Sequence, residues 1–547
     1  MAHEHRVIFP QYARGRNGVS IEEGATLWDH AWRLGIQVAS ACGGRGQCGK
    51  CVVRVESGGE SLAERTEAER RFPLARDERL ACQARIISSA RDVVVYIWAA
   101  GEYTILTEST DQGMIRLDPH VSREGDRVVL REERIHSLGA YEGELLGLAV
   151  DVGTTTLVAQ IVDLESGEVV ATLACRNPQA AYGDDVISRI GYADTHEDGL
   201  RRLQRVVVEA VNSALRTFEG REGRSTVDHI YEAVVVGNPT MRNLFFGLSV
   251  HSLGTSPYEP QDISPINLDA DAVGLEINPR ANVYGAPLVA GQVGADCLAV
   301  ILASGLHRVE RPVMVVDIGT NGEVAIGSRE RILAASNAAG GAFEGATVSC
   351  GTGAIEGAIK NVSILNGAVR YETIGDKPAV GICGSGLIDL LAEMLKNGII
   401  DRSGRLAQAY RAANEFVISQ NGRRIGITQK DINELRLAKA GSALNQQTLM
   451  RKYGVDLEGV DRIYLAGGFG NYVSLDSAMA IGVLPARKEK LVKIGNGALT
   501  GARQMLLSRE RRADAERIAP RIGHVKLSEE ADFLDRYVRE LYLRPWP

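Results

Sequence analysis

The chain has few aromatic residues and no long apolar segment. Phenylalanine, tryptophan and tyrosine make up 5% of its 547 residues, and no apolar stretch approaches the roughly 18 to 20 residues that a membrane-spanning helix needs. The amino terminus, Met-Ala-His-Glu-His-Arg, lacks the apolar segment of a secretory signal. The net charge of -7 is spread without long runs of one sign, which favours neither nucleic-acid binding nor attraction to a membrane surface. We therefore expect a soluble, cytoplasmic protein.

Cysteine is scarce and glycine is plentiful. Eight cysteines in the whole chain do not form the disulfide framework of a small secreted domain. Sixty glycines, together with the low aromatic content, fit an α/β protein that is rich in tight turns between strands and helices. The length is too great for one hydrophobic core and predicts about three structural units.

Four of the eight cysteines have a spacing that suits an iron–sulfur cluster. Cys42, Cys48 and Cys51 lie on one glycine-rich loop and Cys82 follows much later, in the order C-x5-C-x2-C-x30-C. Three thiolates from one loop and one distant thiolate suit a single 2Fe-2S cluster, and the glycines allow the loop to fold tightly with its N–H groups towards the sulfurs. A zinc site or a set of reduced structural cysteines is the alternative. Zinc sites usually pair two C-x2-C units, whereas this sequence has one.

The flanking sequence resembles that of 2Fe-2S ferredoxins. An apolar helical face precedes the cysteine loop, and valine-rich runs at 52–55 and 93–98 predict strands on either side of the last cysteine. The plant-type spacing is C-x4-C-x2-C, so the extra residue between Cys42 and Cys48 departs from it and resembles the adrenodoxin-like branch. The resemblance implies a β-grasp ferredoxin domain over residues 1–99.

The sequence after the ferredoxin-like part contains one hairpin motif twice. Residues 100–144 are mixed in charge and weakly periodic, which predicts a linker or small middle domain. Beyond them, buried strands run into the same Asp-x-Gly-Thr turn in two places, and each copy is followed later by an apolar strand that ends in glycine, at 234–241 and 463–470. The matching positions are Asp151 with Asp317, Gly153 with Gly319, and Thr154 with Thr320. The duplication predicts a two-lobed α/β unit over 145–547.

A hairpin of this composition suits the phosphates of a nucleotide. Glycine and threonine offer N–H groups and hydroxyls to phosphate oxygens, and an aspartate at the strand end binds magnesium or its waters. The pattern resembles the superfamily of acetate and sugar kinases, heat-shock chaperones and actin, whose fold is a duplicated ribonuclease H-like unit. The resemblance implies ATP between lobe I, at about 145–305, and lobe II, at about 311–547.

The same resemblance assigns roles to residues by motif position. Asp151 and Asp317 would hold Mg²⁺ or orient the attacking water, and a Gly-Gly turn in the second lobe would hold adenosine. The expected nucleotide contacts are Gly153, Thr154, Thr155, Gly319, Thr320, Asn321, Gly467 and Gly468.

Other segments allow two interpretations each. Residues 381–389 are either a phosphate-facing helix start or a site of close helix packing, and Asp296 lies either in the cleft between the lobes or at an ordinary helix start. Residues 238–241 end a strand, with a ligand role as the second interpretation, and 340–345 form either a flexible loop or a cleft-lining one. We interpret the remaining cysteines as buried, inert thiols: Cys175, Cys297, Cys350 and Cys383.

The domain order resembles that of the reductive activators of corrinoid proteins, and the resemblance covers essentially the whole chain. It rests on the four cysteines and on residues 151–156, 317–323 and 465–469. It implies that the chain returns the corrinoid protein of a methyltransferase system from Co(II) to Co(I), in a single-electron, ATP-dependent step through a 2Fe-2S cluster. It also implies a homodimer and a low-potential electron donor that the sequence does not identify.

Other functions remain open at this stage. The chain could be a nucleotide-binding, redox-sensing module without turnover, or an activator of a different low-potential metalloenzyme such as a radical dehydratase. A kinase with a regulatory cluster is a further alternative.

Overall fold

The computed structural model describes most of the chain. The described residues are 5–12, 17–34, 36, 38, 42, 44–72, 74–97, 115–131, 135–222, 225–319, 321–337, 341–345, 347–420, 424–467 and 472–546. Two predicted nucleotide contacts, Thr320 and Gly468, lie outside the described residues, as does the first part of the predicted linker. Within the described part of the chain, no helix combines the length and apolar character needed to traverse a lipid bilayer.

The amino-terminal unit is a five-stranded mixed sheet with a helix packed across it. Its elements are β1 (Arg6–Ile8), β2 (Gly18–Ser20), α1 (Leu27–Arg33), β3 (Val52–Ser57), α2 (Glu67–Arg70), β4 (Glu78–Leu80) and β5 (Val93–Ile97). The sheet order is β2-β1-β5-β3-β4, with β1 and β5 parallel. A capping box between Thr26 and Asp29 starts α1, which buries Leu27 and Ala31 in the core of the sheet. This is the predicted β-grasp ferredoxin fold.

A small antiparallel sheet follows and packs on the two-lobed unit. Its strands are β6 (Val121–Glu124), β7 (Arg127–Arg131) and β8 (Ile135–Ala140). Val128 and Leu130 belong to the same hydrophobic cluster as residues of both lobes. Just before this sheet, Asp118 accepts a bidentate pair of hydrogen bonds from Arg509, with Nη2 at 2.9 Å from each carboxylate oxygen.

Lobe I contains a six-stranded sheet and its helices. The strands are β9 (Leu146–Val152), β10 (Thr156–Asp163), β11 (Val169–Arg176), β12 (Ile230–Gly237), β13 (Ile266–Asp269) and β14 (Asn282–Gly285). The helices are α3 (Val186–Thr195), α4 (Gly199–Glu222), α5 (Pro239–Phe245), α6 (His251–Gly254), α7 (Ala270–Val273) and α8 (Ala295–Ala303). The sheet order is β11-β10-β9-β12-β14-β13.

Lobe II contains a second six-stranded sheet of related order. The strands of the lobe are β15 (Val313–Ile318), β16 (Gly322–Gly327), β17 (Ile332–Asn337), β18 (Ala358–Leu365), β19 (Ala368–Thr373), β20 (Gly381–Ile382), β21 (Glu415–Ser419), β22 (Ile425–Thr428), β23 (Ile463–Ala466), β24 (Leu491–Gly495) and β25 (Ile522–His524). Its helices are α9 (Gly384–Lys396), α10 (Gln408–Arg411), α11 (Gln429–Tyr453), α12 (Leu475–Ile481), α13 (Gly497–Leu507), α14 (Arg509–Ile518) and α15 (Phe533–Glu540). The main sheet has the order β24-β23-β15-β16-β17-β25.

The two main sheets share one topology. In each, three consecutive antiparallel strands form a meander, and two later strands add in parallel beside the first strand of that meander. Helices α8 and α13 pack against each other between the sheets, where α13 contacts β9 and α8 contacts β15. The predicted duplicated, actin- and sugar-kinase-like fold is therefore confirmed.

Candidate functional site

The two hairpin turns face each other across a cleft of about 180 Å³. Strands β9 and β10 pair up to Val152 and Leu157, which leaves the Gly-Thr-Thr turn open to the cleft. The cleft lining includes the predicted residues Asp151, Gly153, Thr154, Thr155, Asp317, Gly319, Asn321 and Gly467. The structure thus brings together every predicted nucleotide-site residue that it describes.

Two asparagines that cap helices support the cleft, one from each lobe. Asn238 follows β12 and caps α5 through its side-chain oxygen, while its Nδ2 donates to Thr154 Oγ1 at 2.9 Å. Asn496 follows β24 and caps α13 in the same manner, while its Nδ2 donates to Asp151 Oδ2 at 3.0 Å. Each cap fixes an amide that in turn orients a predicted ligand-binding side chain. Residues 238–241 follow the end of β12, as the first interpretation has it, and Asn238 also lines the cleft, so the ligand role stays a prediction.

The turn of the first hairpin is also held from behind by two buried side chains. Asn177 donates to Gly153 O at 2.8 Å, and Arg189 donates to Thr154 O at 2.6 Å. Both side chains are fully buried, so they fix the backbone of the turn without facing solvent. The sequence reasoning missed both residues, because neither has a recognisable spacing from the motif.

Five carboxylates line the cleft, and burial, with repulsion between neighbouring carboxylates, raises the pKa of four of them. Burial, with Glu344 adding repulsion, raises the pKa of Asp151 to about 6. Burial and the neighbouring Asp151 raise that of Asp296 to about 7. Burial followed by repulsion from Asp296 raises the pKa of Asp317 to about 8, and burial holds that of Glu323 well above its ordinary value. Such a cluster favours the binding of a cation that would offset the shared negative charge.

The carboxylates of the cleft suit a magnesium ion whose remaining ligands are oxygens of phosphate and water. Glu323 is 5% exposed, and its Oε1 has no hydrogen-bond partner among the described residues. Within those residues, no three His, Cys, Asp or Glu side chains converge closely enough to surround one ion. Magnesium usually takes one or two protein carboxylates and completes its shell with phosphate oxygens and water. Asp151 and Asp317 are the carboxylates placed at the two hairpins.

Glu344 reaches across the cleft from lobe II to lobe I. Thr155 Oγ1 donates to Glu344 Oε2 at 2.9 Å. Glu344 therefore lines the cleft, which was the second interpretation of 340–345, a segment of which residue 340 lies outside the described residues. Residues 341–345 and 347–351 are called the strap from here on. Asp296 also lines the cleft. In the segment at 381–389, Gly384 lines the cleft at the start of α9, and α9 packs closely on β18, since a Cβ on Gly386 would lie 2.3 Å from Ile359 O.

Gly467 occupies a position that only glycine tolerates. Its φ is +109°, and a Cβ there would lie 2.7 Å from Ile318 O and 3.0 Å from Asp317 Oδ1. A side chain would therefore both strain the backbone and press on the second hairpin.

The four predicted cluster cysteines lie together as two pairs. Cys51 Sγ is 3.3 Å from Cys82 Sγ, and a hydrogen bond with Cys48 lowers the pKa of Cys42 to about 5. Three glycines of the loop have a positive φ: Gly44, Gly46 and Gly49. Two pairs of thiols, with no three ligands converging on one point among the described residues, fit an iron–sulfur cluster better than one tetrahedral zinc ion.

A buried ion pair positions the segment that carries the last cysteine. Glu69 is fully buried, and its carboxylate accepts bonds from Arg79 Nε at 2.8 Å and Nη2 at 3.0 Å. Glu69 Oε1 also accepts from Leu80 N at 3.0 Å. Strand β4 is thereby held two residues before Cys82.

The other four cysteines are separate from this loop in sequence. Cys297, Cys350 and Cys383 are buried and Cys175 is half-buried. Burial raises the pKa of Cys175 to about 12, so this thiol stays protonated and unreactive at neutral pH. Cys383 belongs to the cleft lining.

The β-grasp ferredoxin domain is joined to a two-lobed domain with a cleft between its lobes. This combination defines a class of proteins with an iron–sulfur domain and an ASKHA domain, the fold of acetate and sugar kinases, heat-shock chaperones and actin. Three family models match the chain in that order. The 2Fe-2S iron-sulfur cluster binding domain matches residues 14–86, the RACo middle region matches 146–309, and the C-terminal domain of RACo, the ASKHA domain, matches 311–545.

Two similar proteins match nearly the whole chain, and a third matches about three quarters of it. The corrinoid activation enzyme RamQ of Eubacterium limosum is 31% identical over 587 residues, covering 97% of this chain and 98% of its own. The Co(II) methylated amine-specific corrinoid protein reductase of Methanosarcina barkeri is 28% identical and covers 73% and 77% respectively. A solved structure of a reductive activator for corrinoid,iron-sulfur protein is 32% identical, covers 99% of both chains and has a TM-score of 0.74. The chain belongs to the RACo family of reductive activators of corrinoid proteins.

Proposed function

We propose that this protein reduces the Co(II) form of a corrinoid protein of a methyltransferase system to Co(I), by single electrons and with hydrolysis of ATP. The observation that carries the proposal is the presence of two sites in one chain: four thiols in two pairs on the ferredoxin domain, and two facing hairpins in the cleft. A relative described as a corrinoid activation enzyme matches 97% of the chain, and one described as a corrinoid protein reductase matches 73% of it.

The cleft would bind Mg-ATP between its lobes. Gly153, Thr154 and Thr155 would contact phosphate from lobe I, and their counterparts Gly319, Thr320 and Asn321 would do so from lobe II. Asp151 and Asp317 would hold Mg²⁺ or orient the attacking water. Gly467 and Gly468 would hold adenosine. Backbone N–H groups, hydroxyls and strand-end carboxylates are the groups that phosphoryl transfer uses.

The ferredoxin domain would hold a 2Fe-2S cluster. Cys42 with Cys48 and Cys51 with Cys82 would bind it, in the pairing that the structure already has. When bound, the cluster supplies a one-electron carrier. The glycine turns of the loop direct backbone N–H groups inward, and Gln47 N donates to Cys42 Sγ at 3.3 Å, which stabilises negative charge on that sulfur.

ATP would assist the electron transfer through a change in conformation. For one electron, a tenfold change in equilibrium corresponds to about 59 mV, or about 1.4 kcal/mol. A nucleotide shifts a conformational equilibrium only by its difference in affinity for the two states.

The proposal includes a low-potential electron donor that is not identified, a homodimer, and domains at 1–99, 100–144 and 145–547.

The decisive experiment measures the oxidation state of the cobalt in the corrinoid protein. Chemically reduced protein is mixed anaerobically with a Co(II) corrinoid protein, and the Co(I) absorption band is recorded with and without Mg-ATP. We expect Co(I) to accumulate with Mg-ATP, and Asp317→Asn to abolish this accumulation while the cluster spectrum stays intact. Co(I) formation that is independent of ATP would refute the proposal. Nucleotide binding without partner-dependent hydrolysis would instead favour a redox-sensing module.

A further inference from the structure

The cysteine loop, residues 42 and 44–51, is in contact with the strap beside the nucleotide cleft. Lys50 lies between Cys48 and Cys51 in the sequence. Its Nζ donates a hydrogen bond to Gly345 O of the strap, and Gly351 O lies 3.4 Å from the same Nζ. Gly345 adjoins Glu344, whose carboxylate accepts a hydrogen bond from the hydroxyl of Thr155. One short chain of contacts therefore joins the loop to a predicted phosphate-binding side chain.

The strap is a fixed support for Lys50. A Cβ on Gly351 would lie 2.4 Å from Gly345 O, so the two carbonyl-bearing residues that accept from Lys50 lie directly against each other. Ser349 donates its N–H and its hydroxyl to Asp431, at 2.7 and 2.6 Å. Asp431 belongs to the capping box of the 25-residue helix α11, which ties the strap to the body of lobe II.

Lobe I borders the cysteine loop from the other side. The carboxyl of Asp184 interacts electrostatically with Cys42 and Arg45, and Arg176 does so with Lys50. The loop is thus seated between the lobes, at the edge of the cleft that would change shape when a nucleotide binds.

A bound phosphate would compete with the bridge that supports this seating. The hydroxyl of Thr155 donates a hydrogen bond to Glu344, whereas the proposed site needs that hydroxyl for phosphate. A carboxylate and a phosphate at the same place also repel each other. Binding would therefore displace Glu344 and, with it, the adjacent carbonyl that anchors Lys50.

We infer that Lys50 is a positioning residue that couples the nucleotide cleft to the cysteine loop, and that nucleotide binding releases the loop from its seat between the lobes. The inference rests on the proposed nucleotide and cluster sites. Coupling of this kind is reciprocal: the factor by which the redox state changes nucleotide affinity equals the factor by which nucleotide changes the redox equilibrium. Release takes the loop away from Asp184 and the strap carbonyls and also from the cation Arg176. Burial disfavours added charge, so the gain in hydration of the reduced loop exceeds the lost attraction to Arg176, and release raises the midpoint potential.

The test measures nucleotide affinity and midpoint potential in the full-length, cluster-loaded protein. Calorimetry with Mg-AMPPNP gives the affinity in the oxidised and reduced states, and EPR-monitored redox titration gives the potential with and without nucleotide. For the wild type we expect the nucleotide to raise the potential, with about 59 mV for each tenfold ratio between the two affinities. Lys50→Met should lose the nucleotide-dependent shift and bind Mg-AMPPNP about fivefold more tightly or better. Lys50→Arg, which keeps the charge and the donors, should restore part of the shift.

Controls separate the possible failures. Lys396→Met removes an exposed lysine on α9 and should behave as wild type. A wild-type potential that does not move when the nucleotide binds, or a Lys50→Met protein that keeps the full shift, would overturn the inference alone. Absence of any nucleotide binding would overturn the proposed nucleotide site. Iron content is measured first. If Lys50→Met loses its cluster, Glu344→Gln is used instead: without the competing charge, nucleotide should bind more tightly and should no longer shift the midpoint potential. A full nucleotide-dependent shift in Glu344→Gln would contradict the coupling.

Discussion

At the scale of single residues, burial determines the chemistry of the cleft. Asp151, Asp296 and Asp317 have pKa values raised to about 6, 7 and 8, because each is desolvated and lies near other carboxyls. A carboxyl whose pKa is raised by folding holds its proton longer in the folded state. In the absence of a cation, its contribution to stability is therefore greatest below its unfolded pKa, near 4, and is lost as the pH rises towards 8.

These raised values predict how magnesium binding depends on pH. Mg²⁺ binds the ionised carboxylates, so its stabilisation of the protein should grow between pH 6 and pH 8. Differential scanning calorimetry with and without Mg²⁺ at both pH values measures this as a difference in Tm. Asp317→Asn should remove most of the pH dependence, whereas Asp535→Asn, an exposed position on α15, should leave it unchanged. An equal effect of Mg²⁺ at both pH values would contradict the predicted site.

A second residue-scale prediction concerns the cluster ligands. Cys48→Ser should reduce iron content to a small fraction of the wild-type value and eliminate the EPR signal of the reduced protein, while ATP hydrolysis is retained. Cys175→Ser is the matched control, because this half-buried thiol lies in lobe I, outside the ferredoxin domain. Unchanged iron in Cys48→Ser would show that the ligand assignment is wrong.

At the scale of helices and strands, one buried ion pair fastens lobe I to helix α14. Arg512 Nη2 lies 2.8 Å from Glu232 Oε1, with side chains 5% and 0% exposed, and its guanidinium stacks over Tyr284 with 4.2 Å to the ring centroid. The pair joins β12, in the middle of the first sheet, to a helix that lies between the last two strands of the second sheet in the chain.

Removal of one partner should therefore cost much more than removal of both. Arg512→Met leaves the Glu232 carboxylate buried without its cation and should lower the free energy of unfolding by about 3 to 5 kcal/mol. The double variant Glu232→Met, Arg512→Met should recover much of that loss. Arg91→Met, which breaks an exposed pair with Glu60, should cost no more than about 1 kcal/mol. Urea unfolding followed by circular dichroism measures all three, and equal losses for the single and double variants would refute this account.

The elements also show what sequence can and cannot predict. Asp151 and Asp317 were predictable because a hairpin motif is local: the strand, the turn and the carboxylate are adjacent in the chain. Asn238 carried a weaker signal, since an asparagine before a proline-started helix predicts a cap but not the direction of its amide. Arg189 reaches the first turn through packing within lobe I, and Glu344 reaches it through packing of lobe II on lobe I, so neither contact follows from the spacing of the motif.

At the scale of the whole molecule, a nucleotide between the lobes should stabilise both together. Ligand at about one hundred times its Kd adds about 2.7 kcal/mol to the free energy of unfolding, which calorimetry records as a rise in Tm. Gly467→Ala should remove this rise, because the added Cβ presses on the second hairpin. Gly454→Ala is the control: it also has a positive φ, of +91°, but has open space around it and ends α11 away from the cleft. A ligand-induced rise in Gly467→Ala as large as that of the wild type would argue against the proposed placement of the nucleotide.

The paired cysteines also bear on how the protein matures. With Cys51 and Cys82 sulfurs 3.3 Å apart, a chain that has folded without iron has two thiols already within reach of each other. Oxygen would join such neighbours covalently, and the resulting bond would close the place intended for the metal. Iron insertion therefore competes with oxidation of the thiols. Anaerobic synthesis would favour insertion of iron, and exposure to air would favour the disulfide.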